Sequence, residues 1–151
     1  MTSREAPSGF DVDYEIVRFV RRARAYAMSH IIGEIHEELD YSTFLLLLAI
    51  CDAPDGVRAS QIAEDMRVHK STVSRAVATL ERLGLVERTT HPDDARAQLL
   101  TVPDDARQRV ELLRKQAHAQ LQELLADWSP EELASFARQL GRLNDAAEKI
   151  L

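Results

Sequence analysis

The chain has 151 residues, a formal net charge of −6 and one cysteine, Cys51. This length predicts a single domain with a substantial core, and the lone cysteine excludes an intrachain disulfide and a multi-cysteine zinc site. The longest apolar run, residues 44–51, is too short to cross a bilayer. The first thirteen residues hold one arginine and no apolar stretch, so we expect no signal peptide and a cytoplasmic protein.

Apolar residues recur at helical spacing from about residue 12 to 38, which predicts a first amphipathic helix. Its other side is expected to face solvent, with phosphate or partner contact as the alternative, and carries Arg18, Arg21, Arg22 and Arg24. A second helix begins near Ser42 and is apolar almost all round, so we expect it to be buried. The turn sequence Ala53-Pro54-Asp55-Gly56 ends it.

A short third helix, about residues 60–66, is followed by a bend at residues 67–69 and a fourth helix from about Lys70 to Leu83. The inward stripe of the fourth helix is apolar and consists of Val73, Val77, Leu80 and Leu83. Its opposite face is small near its start and positively charged: Ser71, Ser74, Arg75, Ala78 and Arg82. Gly84 stands where a left-handed residue would end this helix.

Residues 85–96 follow at once and predict a β-hairpin that carries Asp94 and Arg96 near its tip. A polar, basic helix joined to a basic-tipped hairpin is what a winged helix-turn-helix DNA reader needs. The helix enters the major groove and the hairpin reaches the neighbouring minor groove. The sequence therefore favours DNA binding.

The net charge of −6 is unfavourable for a DNA-binding protein, but the charge is unevenly spread. Residues 67–88 hold five basic and two acidic side chains, a local balance of +3 that leaves −9 for the remainder. A local basic patch is the electrostatic footprint that matters, so the acidic remainder weakens nonspecific binding without preventing docking.

Pro103-Asp104-Asp105 opens a long fifth helix that ends near Trp128. Ser129-Pro130-Glu131-Glu132 then forms a capping box with proline at the first position of a last amphipathic helix. The first and the last two helices hold more apolar surface than a small helix-turn-helix core can cover. Intertwined packing of two copies, a homodimer, is therefore expected, with a monomer folded back on its own core as the alternative.

The predicted fold is mainly α with a small β-hairpin wing, an α+β class. We expect a single domain over residues 1–151. In it a winged helix-turn-helix lobe, residues 41–102, is flanked by dimerisation helices over residues 12–39 and 103–151.

Four blocks between Tyr41 and Thr101 carry a family resemblance: Ser-Gln-Ile-Ala-Glu at 60–64, Ser-Thr-Val-Ser-Arg at 71–75, Leu-Glu-Arg-Leu-Gly-Leu-Val-Glu-Arg at 80–88, and Pro-Asp-Asp-Ala-Arg at 92–96 with Leu-Thr at 100–101. Together they resemble the MarR (multiple antibiotic resistance regulator) family, and helix order and length agree. The resemblance implies a homodimeric transcription factor, usually a repressor, that binds a palindromic operator and is released by a small molecule or an oxidant.

The resemblance also implies which residues contact DNA: Lys70, Ser71, Thr72, Ser74 and Arg75 from the recognition helix, and Arg96, oriented by Asp94, from the wing. Two features depart from the family pattern. His69 stands where the family often has an acidic or hydroxyl residue, which puts the helix cap in doubt, and residues 102–106 lack the usual glycine.

Groove chemistry suggests a role for each of these residues. Arg75 can donate a bidentate pair to guanine, worth about 1–3 kcal/mol of discrimination, or act as a phosphate clamp or surface ion pair. The hydroxyls of Ser71, Thr72 and Ser74 fit phosphate or water-mediated contacts, and Lys70 fits a phosphate. Arg96 would respond to the shape of a narrow minor groove, unless it is an ordinary exposed hairpin residue.

Ligands in the family usually lie between the DNA-binding lobe and the dimerising helices. The candidates for such an effector pocket are Tyr26, His30, Phe44, Leu48 and Trp128, each of which can also be an ordinary core or interface residue. We expect Cys51 to be a buried structural residue rather than an oxidant sensor, because neither burial nor the adjacent Asp52 favours a thiolate.

The five histidines are scattered, so we expect no metal site and no cofactor. The sequence lacks a phosphate-binding glycine loop, a nucleophile elbow and a zinc-binding helix motif, so we expect no enzyme. The alternative to a DNA-binding regulator is a winged-helix module that binds protein. Such a module would show large apolar residues on the outward face of the fourth helix, where this chain has hydroxyls and arginines.

Overall fold

The computed structural model describes residues 11–91 and 94–150, except for the side chains at positions 91, 94–97 and 150. It is mostly helical with one two-stranded antiparallel hairpin, which confirms the predicted fold class. In chain order the elements are α1 (Val12–Tyr26), a π-helical segment (Ala27–Ile31), α2 (Ile32–Ile35), α3 (Tyr41–Cys51), α4 (Ala59–Asp65), α5 (Lys70–Arg82), β1 (Glu87–His91), β2 (Asp94–Thr101), α6 (Asp104–Leu124) and α7 (Pro130–Ile150).

The first long helix departs from its predicted end. Periodicity predicts a helix to residue 38, but α2 ends at Ile35 and His36 is extended, with φ −163°. Leu39 still follows the apolar pattern, because its side chain is buried. It lies in a turn rather than in the helix, and its N–H bonds to the His36 carbonyl at 3.1 Å. The π-helical segment was not predicted. Here the Ser29 hydroxyl donates to the Ala25 carbonyl at 2.9 Å, a bond that competes with the backbone ladder.

Helix α3 is the buried helix that its composition predicts. Its apolar side chains form much of the first core, and Leu47 and Ile50 are fully buried. Cys51 is also buried, as expected. Asp40 caps the helix, because its carboxylate accepts the Thr43 N–H at 2.8 Å and the Ser42 hydroxyl at 2.7 Å. These bonds lower the pKa of Asp40, the backbone N–H of Thr43 contributing most.

Replacing Asp40 with alanine is expected to lower the free energy of unfolding by about 1 kcal/mol near neutral pH. Because the pKa of Asp40 is lowered in the folded state, this stabilisation is complete above its usual value of 3.8. It is lost as pH falls through the lower, folded-state pKa. Denaturant unfolding of both proteins across this range measures the difference. An Asp40→Asn control keeps a capping oxygen and should remain closer to wild type; a gap that widens in acid would contradict the assignment.

Helices α4 and α5 pack on α3 and on each other, which builds the helix-turn-helix. The inward stripe of α5 is as predicted: Val73, Val77 and Leu80 are buried, and Leu83 is half-buried. Gly84 follows with φ 68°, the left-handed residue expected at the end of this helix. The opposite face of α5 is therefore turned away from the core.

The wing is joined to the core at its root. Strand β1 pairs antiparallel with β2, from Glu87 opposite Thr101 to Thr90 opposite Gln98. Leu100 also exchanges two backbone hydrogen bonds with Val57, at 2.8 and 3.1 Å, a bridge that the sequence did not predict. Gly56, at φ 85°, makes this approach possible, because a Cβ there would lie 2.9 Å from the Thr101 side chain.

Contacts divide the chain into two compact units, the first ending at Glu111 and the second beginning at Leu112. In the first unit, two arginines of α6 donate to carbonyl groups of earlier helices. Arg107 binds the Cys51 carbonyl at 3.1 Å and Arg109 binds the Ile35 carbonyl at 3.0 Å. These bonds satisfy carbonyl acceptors at helix ends.

The second unit contains the rest of α6 and α7. The capping box predicted at the start of α7 is present: the Ser129 N–H donates to Glu132 at 2.8 Å and the Glu132 N–H donates to the Ser129 hydroxyl at 3.2 Å. These bonds lower the pKa of Glu132. Across the described ranges, helices long and apolar enough for a membrane span are absent.

Candidate nucleic-acid interface

The outward face of α5 presents hydroxyl groups and cations to solvent. All five predicted contact residues of this helix are exposed: Lys70, Ser71, Thr72, Ser74 and Arg75. The Arg75 Nε donates to the Ser71 carbonyl at 3.4 Å, so this side chain lies back along its own helix. Among the described residues, none forms an ion pair with Lys70 or Arg75. Both cations therefore remain available for an external anion.

The N-terminus of α5 is capped by backbone alone. His69 is the N-cap residue and its side chain makes no capping bond, in line with the doubt raised by the sequence at this position. Its carbonyl accepts the N–H groups of Thr72 and Val73 at 2.9 and 3.2 Å. N–H groups in the first turn of such a helix are suited to a phosphate oxygen, because no side chain competes for them.

The C-terminal half of α5 is held by ion pairs that the sequence did not predict. Arg82 binds Glu38 at 2.9 Å, and this bond and charge lower the pKa of Glu38. Arg88 of β1 binds Glu81 of α5 at 2.7 Å and contacts Gln98 of β2 at 3.5 Å. Exposed pairs add little stability, but Arg88 joins the recognition helix to both strands of the wing.

These pairs divide the predicted basic patch into two parts. Arg82 and Arg88, at its C-terminal end, are partly neutralised by carboxylates. Arg67, Lys70 and Arg75 have no acidic partner among the described residues. The positive charge available for DNA is thus concentrated around the start of α5, the part of a recognition helix that approaches the bases.

The tip of the wing lies between β1 and β2, where His91 is the backbone partner of Asp94 and the register shifts after Thr90. The predicted pairing of Asp94 with Arg96 falls on side chains outside the described part of the chain. Their roles therefore stay predictions.

The effector-pocket candidates belong to different elements of the chain. Tyr26 and His30 stack with ring centroids 4.7 Å apart at the π-helical segment, and both are exposed. On α3, Phe44 is buried and Leu48 is half-buried. Trp128 belongs to the second unit and packs edge-on against Phe136 at 5.3 Å. No group of three potential metal ligands comes together in the described ranges.

Comparison with known proteins agrees with this architecture. The sequence model of the MarR family matches residues 38–97. The uncharacterized HTH-type transcriptional regulator YxaD of Bacillus subtilis (strain 168) is 30% identical over 135 residues, which cover 89% of this chain and 92% of that protein. The chain belongs to the MarR family. This confirms the family resemblance, and it makes the protein a transcriptional regulator of the winged helix-turn-helix type.

Solved structures show the same fold. The MarR-family chain matches Streptococcus pneumoniae FabT, determined in complex with DNA, with a TM-score of 0.82 at 21% identity, over 93% of this chain and 97% of that one. It matches MarR itself with a TM-score of 0.70 at 23% identity, over 93% of this chain and 100% of that one. CouR of Rhodococcus jostii RHA1, determined with p-coumaroyl-CoA, matches with a TM-score of 0.69 at 18% identity, over 89% of this chain and 92% of that one.

Proposed function

We propose that the protein is a homodimeric cytoplasmic repressor that binds a palindromic operator and leaves it when a small molecule or an oxidant acts. The observation that carries this proposal is the outward face of α5. Its cations, Lys70 and Arg75, are exposed and unpaired among the described residues, next to three exposed hydroxyl groups. Membership of a transcription-regulator family supports the same conclusion.

In this proposal the residues of α5 and of the wing contact different parts of the DNA. Arg75 swings away from the Ser71 carbonyl and donates two hydrogen bonds to a guanine. Lys70, Ser71, Thr72 and Ser74 bind phosphates directly or through water. Arg96, held by Asp94, enters the adjacent minor groove and responds to its width. The bond from Arg75 to Ser71 is long and local, so little is lost when it breaks.

The apolar surface of the end helices supports a dimer. In a single chain Val12 and Phe19 of α1 are 65% and 63% exposed, and Leu140 of α7 is 44% exposed. Apolar residues exposed in rows along long helices mark an interface rather than a free surface. A two-fold dimer would present two copies of α5 to two half-sites of a palindrome.

We propose that an effector acts near Tyr26 and His30, with Phe44 and Leu48 as further wall residues. Both residues of the stacked pair are exposed at the π-helical segment, a local irregularity that often accompanies function. CouR, a protein of the same fold, was determined with p-coumaroyl-CoA. The burial of Cys51 favours a small molecule over direct oxidation of this thiol.

Selection of bound fragments from random DNA, followed by affinity measurements against salt, tests this function. We expect enrichment of an inverted repeat with half-sites about one helical turn apart, and affinity that falls steeply with salt. Binding without sequence enrichment would contradict operator recognition. No binding at low salt would contradict DNA binding altogether and favour a winged-helix module that binds protein.

Replacing Arg96 with alanine is expected to weaken binding to every operator variant by a similar factor. A cation in the minor groove responds to electrostatic potential rather than to base identity. The slope of log affinity against log salt should become shallower by about one unit. Titrations over a set of operator variants and salt concentrations measure both quantities. A loss confined to a few variants would mean that Arg96 recognises bases instead.

A further inference from the structure

Arg67 has an unusual backbone conformation. It lies in the turn between α4 and α5 with φ 52°, in the left-handed region. Among the described residues, it is the only one other than glycine that has a positive φ. A Cβ in this region meets the following carbonyl oxygen, so an L-residue is strained there whereas glycine is not.

The hydrogen bonds of this turn do not require an arginine. After α4, the Val68 N–H bonds to the Ala63 carbonyl at 3.0 Å and the Arg67 N–H bonds to the Glu64 carbonyl at 3.1 Å. This is the Schellman motif that commonly ends a helix.

Helix α5 ends in the same way. The Leu85 N–H bonds to the Leu80 carbonyl at 2.9 Å, the Gly84 N–H bonds to the Glu81 carbonyl at 3.0 Å, and the left-handed position is a glycine. One chain thus uses glycine in one copy of the motif and arginine in the other. The left-handed backbone accounts for the glycine at position 84. It does not favour an arginine at position 67, so the reason for that residue lies in its side chain.

The Arg67 side chain is exposed, and no described carboxylate binds it. Four other arginines do have carboxylate partners: Arg18, Arg82, Arg88 and Arg109. Nearby, Asp65 accepts the Gln61 amide at 2.9 Å. The guanidinium of Arg67 therefore stands free three positions before Lys70, at the edge of the unpaired cations that begin α5.

We propose that Arg67 binds a phosphate of the DNA backbone beside the groove that α5 enters. This inference rests on the proposed function. The first residues of a recognition helix approach the bases, so the turn before them lies over the flanking backbone. A guanidinium matches the oxygens of a phosphate with two parallel N–H donors. The strained φ is then the conformational penalty for placing a cation at this point of the turn.

The substitution Arg67→Gly removes the strain and the charge together, and these two losses are expected to change stability and DNA binding in opposite directions. The melting temperature should rise by about 1–4 °C. The affinity for operator DNA should fall about eightfold at about 0.1 M salt, and the salt slope should become shallower by about 0.9, as for one lost phosphate contact. Thermal unfolding and salt titrations at fixed protein concentration measure these opposite changes.

Three further variants complete the test. Arg67→Asn accommodates a left-handed backbone and should show the same loss of salt slope as Arg67→Gly. Arg67→Lys keeps the charge and should bind with a slope close to wild type. Arg138→Ala removes an exposed arginine of α7 and controls for the change in total charge.

An Arg67→Gly protein with the wild-type salt slope, or an equal loss of slope in Arg138→Ala, would overturn the phosphate contact alone. Wild-type protein that binds no DNA at low salt would overturn both this contact and the proposed function.

Discussion

Exchange of Leu140 for glutamate is expected to convert the protein from dimer to monomer and to reduce operator affinity at least about 100-fold. Leu140 lies in the middle of the apolar stripe of α7, which includes Leu133, Phe136, Leu143 and Ala147. In the single chain it is 44% exposed, and glutamate is a good helix former, so the monomer tolerates the change. In a dimer the carboxylate would be buried against apolar side chains without a cation, which is strongly unfavourable.

Light scattering behind a sizing column measures the expected change in mass, from twice the 17.0 kDa of one chain to a single copy. Circular dichroism verifies that the helices remain. Ala134→Glu is the matched control, because it adds the same charge on the opposite side of the same helix, where residue 134 is exposed. A Leu140→Glu protein that stays dimeric would place the dimer interface elsewhere.

Replacing Arg75 with alanine is expected to reduce affinity for the selected operator by about 1–3 kcal/mol and to relax the preference for one base in each half-site. Arg75 is exposed on the outward face of α5, and among the described residues its side chain bonds only to its own helix, through the Ser71 carbonyl. Alanine keeps the helix, so stability should change little. The loss should therefore appear in binding and not in folding.

Operator variants with a substitution at each position of one half-site distinguish base reading from phosphate binding. If Arg75 contacts a base, the variant protein loses discrimination at one position and keeps it at the others. If it clamps a phosphate, all variants weaken alike and only the salt slope changes. Arg96→Ala serves as the comparison with a uniform loss. Unchanged affinity in both proteins would refute the assignment of this face to DNA.

Features decided by neighbouring residues in the sequence could be predicted. The buried stripe of α5, the left-handed Gly84 and the capping box of Ser129 and Glu132 all depend on contacts within one or two turns of helix. The apolar character of α3 likewise indicated a buried helix, because no face of it could remain in water.

Features decided by distant residues could not be predicted. The ion pair of Arg82 with Glu38 joins positions 44 residues apart in sequence, and the bridge of Val57 with Leu100 depends on how the wing meets the loop after α3. For the site, the sequence identified the exposed residues of α5. It did not show which cations are neutralised, because Arg82 and Arg88 look no different from Arg67 and Arg75 until their partners are known.

The two ends of the hairpin are under different constraints. Its root is bound to Val57 by two backbone hydrogen bonds and seated on buried side chains, Leu85, Val86 and Leu100 among them. A change at the root disturbs the hydrophobic core, whereas Thr89 and Thr90, nearer the tip, are exposed. In the proposed function, minor-groove recognition can therefore diversify by substitutions toward the tip of the hairpin without loss of the fold.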